Sequence, residues 1–304
     1  SWIVHSPTVV TSLNLIVQVF TEPRDKILIQ TPVYHPFHYC VLDNERELVF
    51  NPLQRQGAQY VMDFDDLDRK LADKVKMMIL CSPHNPVGRV WLAEELHRVA
   101  ELCLKYNVLL ISDEIHSDLI FSGHRHHVMA AVAPELEKQL ITLTSPSKTF
   151  NLAALSTSFA VIADPDLRNR FKNILKKTHA WAPNIFGLLA AEAAYEFGEP
   201  WLEELLVYLE TNRDLLVDFI SEHIPALQAI NPEGTYLAWL DGRTLGLGDD
   251  LNAFFAAKAK VGFSDGIPFG PEGRGFQRIN FACPRSRLLQ ALRNMEKAVK
   301  ARTL

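Results

Sequence analysis

At 304 residues the chain can bury one large core or two smaller ones. Its 48% hydrophobic and 22% charged content is ordinary globular composition, and a net charge of −5 leaves no footprint for nucleic acid. No apolar run is long enough for a bilayer and no signal-peptide pattern opens the chain, so a membrane partner is not expected either.

The first β-rich run, Trp2-Ile3-Val4, leads into a helical pattern over about residues 8–20. Ser6 is expected to cap that helix with Pro7 at its first position, which makes an anion-binding helix start. Further β-rich runs fall at 26–30, 47–50, 75–81, 108–113, 140–144 and 157–162, and amphipathic helical patterns at about 64–72, 92–106 and 165–177. Runs that stay apolar without alternation indicate strands covered on both faces, as in a mostly parallel α/β sheet. After residue 180 the pattern changes to two long helices joined at Gly198-Glu199-Pro200. The tail holds a strand, TYLAWLD, and helices at about 249–259 and 286–301. The expected architecture is a large α/β domain over 1–200, with a mostly parallel sheet between helices, and a smaller α+β domain over 201–304.

Four scattered cysteines (Cys40, Cys81, Cys103, Cys283) share no CxxC spacing, which fits a reducing cytoplasm better than a disulfide framework. His124, His126 and His127 lie close together without a matching carboxylate, so no metal site is expected. The glycines of GPEGRG make no dinucleotide fingerprint.

In open α/β sheets ligands bind beyond the carboxyl ends of the strands. Ser6, Tyr34, Asn85, Asp113 and Lys148 all fall at such ends and predict one shared site. Lys148, in TSPSKTFN, is the sharpest signal, because an ammonium at the end of a buried strand is costly unless paired or neutralised. Asp113 likewise demands a cationic partner. An anion-binding helix start, a buried carboxylate, an amide, an aromatic residue and a strand-end lysine are the set that pyridoxal 5'-phosphate (PLP) requires.

The motifs SPHNPVGRVW, SDEIHSDL and SPSKTFN, in this order, resemble fold-type I PLP enzymes of aminotransferase class I/II. More narrowly, with TPVYHPF, EPWLEEL, GTYLAWLD and EGRGFQRINFACPRS, the chain is similar to the MalY/PatB group of cystathionine β-lyases. The resemblance implies that Lys148 holds the cofactor covalently and acts as the base at the substrate Cα. It implies that Asp113 pairs with the pyridine N–H, Asn85 bonds the phenolic oxygen, and His116 lies near that oxygen. Tyr34 would stack on the ring. The Thr8 and Val9 amides, with Ser145 and Ser147, would hold the phosphate, and Arg278 the substrate α-carboxylate. Many class I/II aminotransferases carry a phosphate-binding arginine where this chain has Ser156, a departure that fits the lyase subgroup. Family members also carry an amino-terminal segment ahead of the residue that aligns with the first residue here, so the pocket formed by this chain is expected to lack part of its wall. The implied activity is a carbon–sulfur β-lyase acting on an amino-acid substrate as a homodimer. An aminotransferase and a non-catalytic PLP-binding regulator are the alternatives.

Overall fold

The computed structural model describes residues 1–303. The first strand, β1 (Ile3–Ser6), leads into α1 (Val9–Phe20), followed by β2 (Lys26–Ile29), α2 (Pro36–Leu42) and β3 (Glu47–Phe50). A hairpin, β4 (Gln54–Gln56) and β5 (Gln59–Val61), precedes α3 (Phe64–Leu71), β6 (Val75–Cys81), α4 (Ala93–Tyr106) and β7 (Leu109–Asp113). Next come the short α5 (Met129–Val132), β8 (Leu140–Thr144), the single turn α6 (Pro146–Thr149), β9 (Ser158–Val161) and α7 (Pro165–Lys177).

These strands form a seven-stranded sheet in the order β1-β9-β8-β7-β6-β2-β3. Only β9 runs against its neighbours. The apolar runs alternate faces as the pleat requires. Ile27, Ile29, Met77, Ile79, Ile111 and Ile141 pack with α1, α2 and α7. Leu28, Met78, Leu80, Leu110 and Leu140 face the opposite way, onto α3 and α4. Both faces are covered, so no polar alternation survives in these strands. The mostly parallel sheet between helices is therefore as expected.

The remainder comprises α8 (Ile185–Phe197), the long α9 (Glu199–His223), β10 (Gln228–Ala229), β11 (Leu237–Asp241), α10 (Leu251–Phe254), β12 (Ser264–Asp265), β13 (Phe276–Asn280) and α11 (Arg285–Thr303). A four-stranded antiparallel sheet, β10-β11-β13-β12, packs on α9 and α11 around its own core of Leu216, Leu240, Phe255 and Leu292. Trp239 and Phe276 stack at 5.2 Å and join the core beneath α4, so the two sheets share apolar contact.

Two local expectations fail. The single helix over 249–259 is broken into a 3-10 turn, α10 and a π-turn at Phe255–Ala259, which lets Phe255 and Ala259 both reach the core. The cap of α1 is Thr8, whose Oγ1 accepts from Thr11 N at 3.0 Å; Ser6 instead ends β1.

Candidate active site

Thr8, Val9, Tyr34, Asn85, Asp113, His116, Ser145, Ser147, Lys148 and Arg278 line one cavity of about 370 Å³ at the carboxyl end of the parallel strands. Ser6 does not. Its hydroxyl lies in a buried chain with Ser12 Oγ at 2.6 Å and Ser158 Oγ at 2.8 Å, beneath the turn that carries Thr8.

Asp113 is the last residue of β7, in register with Cys81 of β6 and Leu143 of β8. Its Oδ1 accepts from Ile115 N at 3.2 Å. Burial pushes its carboxyl up to about 7, while the Ile115 N–H and the Lys148 charge pull the other way. A group so placed prefers to be neutral unless a cation comes beside it.

Lys148 stands on α6, one turn of helix whose start is pinned by Ser145. The Ser145 Oγ accepts from Ser147 N at 3.1 Å and donates to Thr157 O at 2.7 Å. That donation uses the only hydroxyl proton of Ser145, so its contribution is to shape the turn. Burial lowers the Lys148 ammonium below its usual value; the nearby Asp113 opposes this and Arg278 adds to it. An amine held this way is a better nucleophile and base near neutral pH than a surface lysine.

Arg278 projects from β13. It donates from Nη1 to Asn85 Oδ1 and from Nη2 to Ser264 Oγ, both at 3.0 Å, and lies 4.9 Å over the Phe269 ring. The guanidinium fixes the orientation of the Asn85 amide, leaving Asn85 Nδ2 as a donor with no protein partner among the described residues. His116 is buried; burial first, then the charges of Lys148 and Arg278, push it down to about 3, so it is neutral at ordinary pH. Among the described residues, His116 Nδ1 and Arg278 Nε are buried without a hydrogen-bond partner. Buried polar atoms left open at a cavity are those a ligand would satisfy.

At the cavity's other end, Val9 and Val10 open α1 beside Thr8. Their amides precede the first intrahelical bonds, and the positive helix end faces the lining. Tyr34 covers the wall from the β2–α2 connection, and its backbone N donates to Asn85 O at 3.1 Å. The sequence reading gave no role to Tyr236, Cys81 or Asn280, which also line the cavity. Tyr236 directly precedes β11, and only the pairing of β11 with β13 brings it to Arg278. His126 Nε2 donates to Glu114 Oε2 at 2.8 Å, so it serves a structural link, and no group of three or more metal-ligating side chains occurs among the described residues.

Residues 3–294 match the family described as Aminotransferase class I and II. The chain belongs to that family. It is 42% identical to cystathionine beta-lyase PatB of Bacillus subtilis over 299 residues, covering 98% of this chain and 77% of PatB. Protein MalY of Escherichia coli is 34% identical over 302 residues, at 98% and 77% coverage. The crystal structure of cystalysin from Treponema denticola, which contains PLP, superposes with a TM-score of 0.97 at 37% identity, covering 99% of this chain and 77% of that one. The subgroup expected from the motifs is the one these relatives represent.

Proposed function

We propose that this chain is a PLP-dependent carbon–sulfur β-lyase, cleaving amino acids that bear sulfur on the β-carbon to thiol, pyruvate and ammonia. The observation that carries the proposal is the joining of Lys148, Asp113 and Arg278 in one cavity. The residues present fit PLP. Lys148 offers an amine with a lowered pKa. Asp113 is a buried carboxylate whose charge awaits a cation, and the α1 start offers unpaired amides to a phosphate.

When bound, PLP supplies an electron sink for negative charge developing at the substrate Cα. Lys148 would hold the cofactor and, once displaced by the substrate amine, remove the Cα proton. The Asp113 carboxylate would hold a proton on the pyridine nitrogen of the bound cofactor, whose positive charge would in return favour the Asp113 anion. Asn85 Nδ2 would donate to the phenolic oxygen of the cofactor, and neutral His116 and the Tyr34 ring would complete its seat. The Val9 and Thr8 amides and the Ser147 hydroxyl would take the phosphate, with Ser145 setting the turn. Arg278 grips the α-carboxylate through its fork. The Cβ–S electron pair leaves with sulfur, which takes a proton as thiol, and water converts the three-carbon remainder to pyruvate and ammonia.

Incubation with cystathionine tests this. Thiol and pyruvate are expected in equal amounts; conversion of the cofactor to its amine form with no thiol, reversed by a 2-oxo acid, would favour an aminotransferase.

We assign the large PLP-binding α/β unit to residues 1–200 and the small α+β unit to 201–304. The proposed assembly is a homodimer. Its support is a run of exposed apolar side chains on and beside α8 and α9: Trp181, Ile185, Phe186, Leu189, Phe197 and Trp201. Phe186 and Phe197 are 71% and 70% exposed. A face of this kind marks an association surface, and it adjoins the cavity through Asn184, which donates to Leu155 O at 2.9 Å beside the lining residues Ala153 and Ser156. Two Phe→Asp changes, at Phe186 and Phe197, each forgo about 2 kcal/mol of apolar burial. The double variant is expected to sediment as a 34.4 kDa monomer where the parent runs at twice that mass; an unchanged dimer would remove this face from the interface. Four unpaired cysteines support a cytoplasmic location. No helix among the described residues is long and apolar enough to cross a membrane.

A further inference from the structure

Outside the cavity, the turn that carries Asn85 is fastened to the segment leading into β11 by a buried ion pair. Arg89 and Glu233 are 8% and 7% exposed, and Arg89 Nη1 donates to Glu233 Oε2 at 2.7 Å. The same oxygen accepts from Val90 N at 2.8 Å. Arg89 Nη2 reaches both carboxylate oxygens of Glu95, at 3.0 and 3.2 Å, and its Nε donates to Tyr60 O at 3.1 Å. Backbone bonds run alongside: Glu233 N to Gly88 O at 2.8 Å and Phe121 N to Glu233 O at 3.0 Å. Gly88, at φ +72°, packs so closely that a Cβ there would meet Pro232 Cβ at 2.3 Å.

Beside these backbone bonds, two links between side chains join the turn on the large sheet to the small-sheet segment, Asn85–Arg278 inside the cavity and Arg89–Glu233 outside it. We infer that Arg89 and Glu233 are a positioning pair, which sets the separation between Asn85 on one side and Arg278 with Tyr236 on the other. The pair touches no cavity-lining atom of its own. It would act on the seat of the substrate carboxylate through the strands it holds. This inference rests on Arg278 being that seat, as proposed above.

The test uses 3-(methylthio)propionate, a carboxylate with the sulfur-bearing skeleton but no amine, and calorimetry on the PLP-loaded chain. Arg89→Met with Glu233→Leu removes both charges of the buried pair together, while Glu95, at the surface end of the network, keeps its bond from Leu92 N at 2.8 Å. The double variant is expected to fold cooperatively and to bind the probe about tenfold more weakly, the scale that small misplacements of a binding group produce. Its affinity for PLP, set by residues on the large sheet, is expected to stay within about twofold. A cooperatively folded double variant with unchanged probe affinity overturns the inference, and so does an equal loss of PLP and probe. Should the double variant not fold, Arg89→Lys keeps the charge paired but loses the fork to Glu95. A weakening of about threefold or more is then expected, and an unchanged constant overturns the inference. A parent chain that binds the probe but releases no pyruvate contradicts the lyase reading alone; one that releases pyruvate but does not bind the probe overturns the inference alone.

Discussion

Lys148→Ala is expected to lower β-elimination by about a thousandfold or more, the range typical of losing a positioned proton-transfer group. No other lysine lines the cavity, so no neighbour can take over. The residues proposed to hold the phosphate and the ring are unchanged, so PLP should still associate, reversibly and without a covalent link. Stopped-flow detection of pyruvate measures the first effect, and dialysis of the loaded variant measures the second. Loss of turnover with tightly retained cofactor would show that the residue matters in another way.

Asp113→Asn is the second large effect. The asparagine keeps the shape, but removes the charge proposed to hold a proton on the pyridine nitrogen. Breaking a buried charge pair costs about 3–5 kcal/mol, equivalent to roughly a hundredfold to several thousandfold in rate. The same substitution has an opposite effect on the chain without PLP. There burial holds the Asp113 carboxyl at about 7, above its ordinary range, so the folded state binds its proton more tightly than the unfolded chain does. The stabilisation from this group is complete at acid pH and is lost as pH rises from the ordinary carboxylate range through 7. The slope is up to about 1.4 kcal/mol per pH unit. Without PLP, the variant should therefore be more stable than the parent at pH 8 and no more stable at pH 4. Denaturant titrations at the two values decide it; identical stabilities at pH 8 would mean that Asp113 is not ionised at a cost.

Much of this was legible in the chain because the signals are local. Apolar runs without alternation fixed the covered strands, and the polar residues that close them, Asp113, Asn85 and Lys148, pointed to a common end of the sheet. Motif resemblance added the roles, including that of Arg278, which no strand-end rule could reach. What remained hidden depends on contacts distant in sequence. The strands β10 and β12 have two residues each, too short for any periodicity, and are strands only through their pairing with β11 and β13 respectively. Tyr236 enters the cavity by that same pairing. Arg89 follows the SPHNPVG stretch, and nothing nearby announces its partner 144 positions away. Ser6 was misplaced for a related reason: Ser12 and Ser158 draw its hydroxyl into the interior, leaving Thr8 to cap the helix.

Borohydride reduction of the PLP-loaded chain, followed by proteolysis and mass mapping, tests the central claim most directly. The phosphopyridoxyl label should appear on the peptide containing Lys148 and nowhere else, and Asp113→Asn should still take it at the same position. A label on a different lysine, or none on a chain that has demonstrably taken up the cofactor, would contradict the account.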